Sequence, residues 1–210
     1  MKIETLVYRK IDEYKPKGEL NHTAKMFLDI SSVRHHNVKG HIERVALMAE
    51  GVAKILKYDS KAAFFAGLMH DIGKLVLPYS LFEDKDITPQ EYAEIKTHAL
   101  AGYTMLKNKH LFTALCAGLH HALYESGYGL TIADFPKNWN PKLIRKVLNI
   151  AAVVSVCDFI DAYTHRHTKI LDGSGKESED IEVMLKTKYP EDQPIIEAAL
   201  RVSKDKLFQP

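Results

Sequence analysis

The sequence predicts an all-α protein, a single-domain helical bundle, and three observations carry that prediction. Apolar residues recur at positions 45, 48, 52 and 55, which is the spacing of one buried helix face. Residues 62–69 and 111–119 are apolar at nearly every position, as helices inside a core are. Thr88-Pro89 and Asn140-Pro141 each place a capping side chain before a proline, which is typical of a helix start. A chain of 210 residues is long enough for one sizeable core and short for two domains.

In chain order, residues 1–34 form two short amphipathic pieces separated by Pro16 and Gly18, and we predict a helical N-terminal extension there. Residues 35–170 are predicted to hold the main domain. It contains one helix from Pro89 to about Leu106 and a last long helix that starts at Asn140-Pro141. In residues 171–210 we expect a flexible turn at 172–175 and then two helices, near 178–188 and 194–206, packed on the same domain.

Composition excludes several classes of protein. With 29 basic and 27 acidic residues and no basic run, the chain does not predict binding to a nucleic-acid duplex. The N-terminus lacks the apolar core of a signal peptide, and the most apolar segment, residues 147–160, is too short to span a membrane. Cys116 and Cys157 lie in apolar stretches, which indicates reduced packing residues. We therefore expect a cytoplasmic protein without a membrane partner.

The most informative stretch is His70-Asp71-Ile72-Gly73-Lys74, at the end of the apolar helix 62–69. Gly73 is expected to stop that helix. A helix C-terminus carries a partial negative charge, so His70 and Asp71 placed there favour a cation. Lys74 would be free to reach an anion held by that cation. Taken alone, the pair fits equally well with two hydrogen-bonded side chains at a helix end.

Other candidates fall on different predicted core helices: His41, His98, the pair His120-His121, and Asp158. A single inward histidine is more often structural than a ligand, but a carboxylate inside a buried helix is costly unless it is paired or binds a metal. Side chains that project inward from several helices are the usual way to build a metal site in a bundle. Five histidines and two aspartates suit two divalent cations with one bridging carboxylate, and they favour iron, manganese, cobalt, nickel or zinc over magnesium or calcium.

The order and spacing of His41-x-x-Arg44, His70 to Lys74, His98, His120-His121 and Asp158 resemble the HD-domain metal-dependent phosphohydrolases, and specifically their HD-GYP branch. The resemblance runs from about His41 to Lys169. It implies that one ion is held by His41, His70, Asp71 and Asp158. It also implies that a second ion is held by His98, His120 and His121, with Asp71 bridging the two ions and Lys74 contacting a substrate phosphate.

The chain departs from that branch at two places. Where the branch has His-His-Glu-Arg and then Gly-Tyr-Pro, this chain has His120-His121-Ala122-Leu123 and then Gly127-Tyr128-Gly129, with a loop one residue shorter. The branch uses this loop to recognise cyclic di-GMP, so the change argues against that substrate. Asn37 stands where some members carry a glutamate that supports a third ion, so we expect two metals.

The leading hypothesis is hydrolysis of a phosphodiester or nucleotide, with Asp71 as the bridge and Lys74 neutralising a phosphate oxygen. Arg44 and Arg166 are weaker candidates for substrate contact, since surface or capping roles fit them too, and Asp161 is expected to orient a ligand histidine. Four histidines are expected to be solvent-exposed: His35, His36, His165 and His167. The alternatives are a di-iron oxygenase of the HD superfamily and a non-catalytic nucleotide-binding signalling module. The expected partner is a small phosphorylated or nucleotide substrate, and a homodimer is left open.

Overall fold

A computed structural model of the chain describes residues 2–82, 86–165 and 180–209, and these residues are built from helices joined by short connections. The α-helices are α1 (Ile3–Tyr14), α2 (Leu20–Arg34), α3 (His36–Ile55), α4 (Ser60–Met69), α5 (Pro89–Lys96), α6 (His98–Leu106), α7 (Leu111–Leu119), α8 (Pro141–His165), α9 (Ile181–Lys188) and α10 (Gln193–Ser203). Short 3-10 turns lie at Ile72–Val76, Tyr79–Phe82, Ile132–Asp134 and Lys206–Phe208. The all-α fold class predicted from the sequence is confirmed.

Helices α3 and α4 form the centre of the core and pack closely along their length. Asp59 caps α4, because its side chain accepts a hydrogen bond from the backbone N–H of Ala62 at 2.9 Å. At the crossing, a Cβ on Gly67 would lie 2.9 Å from the Cα of Ala46, so glycine is needed for the two backbones to approach. This close packing places the start of α3 beside the end of α4, where His41 and His70 meet.

The turn that follows α4 packs against α6 with almost no space between the backbones. Helix α4 already ends at Met69, and Gly73 lies inside the 3-10 turn that follows, so the prediction that Gly73 stops the helix was wrong. A Cβ on Gly73 would come 2.0 Å from the carbonyl oxygen of His98, and Gly102 faces it from α6. Gly73 is therefore required for close approach, which brings Asp71 next to His98.

The single helix predicted from Pro89 to Leu106 is interrupted at Thr97. The capping box at Thr88 and Glu91 opens α5 as expected, but α5 ends at Lys96 and α6 begins at His98. The hydroxyl of Thr97 donates to the carbonyl of Glu94 at 2.7 Å, and the His98 ring bonds the carbonyl of Ile95 at 2.6 Å. These two side chains bond carbonyl oxygens that would accept backbone N–H groups in a continuous helix. The helix is therefore interrupted by a tighter turn at Thr97.

Helix α8 crosses the core, and α10 packs against both α3 and α8. The two C-terminal helices have nearly the predicted bounds, although the start predicted near residue 178 and the turn at 172–175 lie outside the described residues. Cys116 and Cys157 are both buried free thiols. Among the described helices, none has an apolar stretch long enough to cross a membrane.

Candidate metal centre

Five helices or helix ends bring the predicted ligands together. His41 comes from α3, His70 and Asp71 from the end of α4, His98 from the start of α6, His120 and His121 from the end of α7, and Asp158 from α8. All of them are buried except His121, which is partly buried. Three overlapping groups of potential ligand atoms each fit within 4.8 Å: His98, His120 and His121; His41, His70 and Asp71; and His70, His120 and Asp158.

Asp71 lies between the two predicted ligand sets. Its Oδ2 atom is 3.4 Å from Nε2 of His70 and 3.5 Å from Nε2 of His41, while Oδ1 is 3.2 Å from Nε2 of His98. Each carboxylate oxygen thus faces a different histidine group, which is the arrangement that a bridging carboxylate needs.

Asp158 also spans the cluster. Its Oδ1 atom is 3.0 Å from Nε2 of His41, and its Oδ2 atom is 3.7 Å from Nε2 of His121. The resemblance assigns Asp158 to the ion held by His41 and His70, and the geometry brings it close to the second group as well.

Every one of the five histidines has a hydrogen-bond partner on Nδ1. His70, His98 and His120 each bond the carbonyl three residues earlier, at 2.6–2.7 Å, and His41 bonds Oδ2 of Asp161 at 2.7 Å. These oxygens only accept, so we assign the proton to Nδ1 in all four rings. Nδ1 of His121 lies 3.2 Å from the Tyr124 hydroxyl, which fits the same tautomer. All five Nε2 atoms are therefore directed into the cluster, and on a neutral ring this nitrogen is the one that can bind a metal ion.

The inward nitrogen atoms are too close together to be satisfied by each other. Nε2 of His41 lies 3.3 Å from Nε2 of His70, and the same distance separates Nε2 of His98 from that of His120. Two lone pairs at that distance repel unless a proton or a metal ion lies between them. The imidazole and carboxylate donors of this site fit divalent transition metals.

Burial and charge prepare these groups to bind cations. Burial lowers the pKa of His98 to about 4 and that of His121 to about 3, and it also lowers the pKa of His120, so these rings are neutral at pH 7. At His70 burial lowers the pKa, but the carboxylates of Asp71 and Asp158 outweigh that effect and raise it to about 10. The nearby histidines hold the pKa values of Asp71 and Asp158 well below their usual range, against the effect of burial.

Asp161 supports His41 from outside the cluster, as its position three residues after Asp158 led us to expect. Its carboxylate also accepts two hydrogen bonds from Arg44, at 2.6 Å to Nε and 2.9 Å to Nη2. The Arg44 guanidinium is thus held by Asp161, and its predicted contact with substrate stays a prediction. Arg166, the other predicted substrate contact, lies outside the described residues.

Lys74 lies beside the cluster. Its ammonium donates to Oδ2 of Asp71, and it stands 5.7 Å from the centre of the Phe82 ring. Lys74 is buried, and its ammonium is held beside Asp71, the residue predicted to bridge the two metal ions.

The expectation that the remaining histidines are solvent-exposed was wrong for two of them. His35 is 4 % exposed because it packs against the rings of Tyr79 and Phe82. His165 is partly buried, and its ring bonds the carbonyl of Asp161 at 3.2 Å. His36 is exposed as expected, and His167 lies outside the described residues.

Aromatic and basic side chains that the sequence did not single out surround the cluster. Tyr128, in the Gly127-Tyr128-Gly129 loop, stacks on His121 with ring centres 4.7 Å apart. Lys96 stands 5.5 Å from the centre of the Tyr128 ring, and Lys188 stands 4.0 Å from that of Tyr124. The position of Tyr124 three residues after His121 could have predicted the contact between these two side chains. Nothing in the sequence connects Lys188 to the cluster.

Comparison with known proteins agrees with this geometry. A curated ribonuclease Y from Chlorobaculum tepidum is 36 % identical to the chain over 103 residues, which cover 46 % of this chain and 17 % of that protein. The chain thus spans less than a fifth of the length of that relative. The protein-family model of the HD domain matches residues 38–163, which contain every predicted metal ligand. HD domains bind divalent metals and are generally metal-dependent hydrolases. This match covers more than half of the chain, which therefore belongs to the HD domain family.

Proposed function

We propose that the protein is a binuclear metal-dependent phosphohydrolase that cleaves a phosphodiester or a nucleotide. The observation that carries the proposal is the convergence of five Nε2 atoms and two carboxylates, with all five Nδ1 atoms held by partners outside the cluster. Such fixed orientation is what metal-binding histidines need. A site with this many donors exceeds the requirement of one tetrahedral ion.

The proposed ligand sets are those that the family resemblance implies. His41, His70 and Asp158 would hold one ion, His98, His120 and His121 would hold the other, and Asp71, which lies close to both sets, would bridge them. Two divalent ions bound there supply Lewis-acid polarisation of a phosphoryl oxygen and an activated water at neutral pH.

The chain's own residues orient and neutralise the substrate. The ammonium of Lys74, held by Asp71, is placed to neutralise a phosphate oxygen beside the two metal positions. In the tautomer assigned to His121, its Nδ1 donates to the Tyr124 hydroxyl, which then keeps its own proton for an acceptor on the substrate. The ring of Tyr128 covers His121 and limits access of water from that side.

We place the chain next to the HD-GYP branch, with an altered loop at Gly127-Tyr128-Gly129. The loss of the glutamate, arginine and proline found in the branch argues for a substrate other than cyclic di-GMP. The name of the ribonuclease Y relative points to RNA phosphodiesters, so a short oligoribonucleotide belongs among the compounds tested. We propose a small phosphorylated or nucleotide substrate and a cytoplasmic location.

The test combines metal content with hydrolysis. Protein purified without added metal is analysed by mass spectrometry and assayed with bis(p-nitrophenyl) phosphate. We expect close to two transition-metal ions per chain, together with turnover. Asp71→Ala removes the proposed bridge and is expected to lose both metal and hydrolysis, whereas Asp12→Ala, which removes an exposed partner of Lys25, keeps both.

Other outcomes contradict the proposal. Full metal content in Asp71→Ala would rule out Asp71 as the bridge. Bound metal without turnover on phosphodiesters, nucleotides and cyclic di-GMP would favour a nucleotide-binding signalling module. A mixed-valent iron signal under air without phosphatase activity would favour a di-iron oxygenase.

A further inference from the structure

Lys188, the last residue of α9, is surrounded by aromatic rings. Its Nζ atom lies 4.0 Å from the centre of the Tyr124 ring, 4.8 Å from that of Phe159 and 5.8 Å from that of Tyr189. Ring faces attract a cation but do not replace the hydrogen bonds that an ammonium makes to water or to an anion. Lys188 belongs to the C-terminal part of the chain, outside the residues that match the HD domain.

No carboxylate in the described part of the chain lies within ion-pair distance of Lys188. Several other lysines that are buried or partly buried do have such a partner: Lys10 pairs with Glu50, Lys39 with Glu4, and Lys74 with Asp71. Burial lowers the pKa of Lys188, and the negative charge of Asp158, which is not in direct contact with it, offsets only part of that effect. A partly buried cation without an anion is costly, so this position favours an anionic ligand.

Lys188 is connected to the metal centre by Tyr124. The Tyr124 ring lies under the Lys188 ammonium, and its hydroxyl is 3.2 Å from Nδ1 of His121. Phe159, the second ring around Lys188, directly follows the predicted ligand Asp158. Lys188 thus stands one aromatic ring away from the predicted ligands, on the opposite side of His121 from the cluster.

A cavity of about 540 Å³ opens beside Lys188. It lies between the loop 122–125, the part of α8 at residues 148–152, and the segment 187–192. Its walls combine Tyr124 and Tyr189 with the carboxylates of Glu125, Glu191 and Asp192. This volume is within the range of small-molecule sites. The aromatic walls suit a nucleobase, and the carboxylates suit amino and hydroxyl groups of a base or a ribose.

We propose that Lys188 and this cavity form a second phosphate subsite, which takes a phosphorylated nucleoside extending from the phosphate at the metal centre. The preferred ligands are then nucleotides that carry two separate phosphate groups. This inference rests on the proposed function and names its substrate class. Lys74 and the metal centre bind the scissile phosphate, and Lys188 binds the other phosphate.

The test compares two probes by calorimetry on the full chain loaded with Mn²⁺: adenosine 5′-monophosphate and adenosine 3′,5′-bisphosphate. The unchanged protein is expected to bind the bisphosphate at least tenfold more tightly, since a charge-assisted hydrogen bond is worth about one such factor. Lys188→Met keeps the aliphatic length and removes the charge, so it should lose that preference while monophosphate binding changes less than twofold. Lys188→Arg should retain most of the preference.

Lys186→Met is the matched control, because Lys186 lies on the same helix, is exposed and pairs with Glu182. It should bind both probes as the unchanged protein does. Equal affinity of the unchanged protein for both probes would overturn the inference, and so would an equal loss of both in Lys188→Met. These outcomes do not depend on turnover. An intact preference with no hydrolysis of any phosphodiester or nucleotide would instead overturn the proposed function.

Discussion

Glu43 is a buried acid on α3, and in the described part of the chain one of its carboxylate oxygens, Oε1, has no hydrogen-bond partner. It lies on α3 two residues after His41, and its nearest cation is Lys39 at 3.8 Å. Burial raises the pKa of Glu43 to about 7, and Lys39 offsets only part of that effect. The folded protein therefore holds a proton on Glu43 at a pH where the unfolded chain has lost it.

We predict from this that Glu43 destabilises the fold at alkaline pH. The folded-state pKa of about 7 is above the ordinary value of 4.5, so the stability contributed by the protonated form is lost as the pH rises between those values. Glu43→Gln should raise the free energy of unfolding at pH 8, by at most about 3 kcal/mol, and leave it nearly unchanged at pH 4.5. Urea denaturation at both pH values measures this.

Glu13→Gln serves as the control for that experiment, because Glu13 is exposed and, among the residues that the structure describes, its ion pair is with Arg9. The same gain at both pH values in Glu43→Gln would show that the side chain is destabilising for a reason other than its charge.

The sequence allowed several of the candidate ligands to be found because they break a local rule. His70 and His120-His121 end apolar helices, and Asp158 interrupts another, so polar groups that are costly to bury stand out. Lys188 breaks no such rule. It lies in a polar helix at the end of the chain, where a lysine is ordinary, and only the packing of α9 against α8 makes it unusual.

At the scale of elements, the contact between the 3-10 turn at Ile72–Val76 and α6 decides where His98 stands. Gly73 allows this contact, since a Cβ there would come 2.0 Å from the His98 carbonyl oxygen and 2.7 Å from the Gly102 nitrogen. Both are backbone atoms, so neither can move away by a change of rotamer as a flexible side chain could. Any side chain at residue 73 must push α6 away from Asp71.

Gly73→Ala is accordingly expected to lower the free energy of unfolding by about 2–3 kcal/mol, as overpacking does, and to weaken metal binding by displacing His98. The paired control is Gly102→Ala on the other side of the same contact. A Cβ at Gly102 would meet its nearest neighbours at 3.4–3.6 Å, which is ordinary contact, and alanine favours the helix. Thermal unfolding and metal titration of both variants measure this. Similar losses in the two variants would contradict the account.

The interruption at Thr97 could not be found from the sequence, because Thr88-Pro89 is a good start signal and no further proline or glycine follows before Gly102. The break comes from hydrogen bonds of the Thr97 and His98 side chains to earlier carbonyls. Such bonds compete with the helix only when tertiary contacts hold the side chains in place. Here the contact of α6 with the turn after α4 holds His98.

At the scale of the whole molecule, α10 completes the core beneath α3 and α8. Ile196 is fully buried, and Val202 packs against Gly51 of α3. The prediction that residues 171–210 belong to the same domain as residues 35–170 can therefore be tested by measuring cooperativity.

Ile196→Ala is expected to lower the free energy of unfolding by about 2–5 kcal/mol. If the domain is single, the denaturation midpoint should shift equally in helical circular dichroism and in fluorescence of Trp139, the one tryptophan, which lies before α8. Val183→Ala, at a position that is 55 % exposed on α9, should shift neither signal. A shift in circular dichroism without a shift in fluorescence would show that the C-terminal helices unfold separately.

The hydrogen bonds on the five histidines also limit how this centre can evolve. Three of the five supports are main-chain carbonyls, of residues 67, 95 and 117, and no single substitution can delete them. Only two supports are side chains, Asp161 at His41 and Tyr124 at His121, and they serve different ions in the proposed assignment. A single inherited substitution at Asp161 or at Tyr124 can therefore change the affinity of one proposed metal position with little effect on the other.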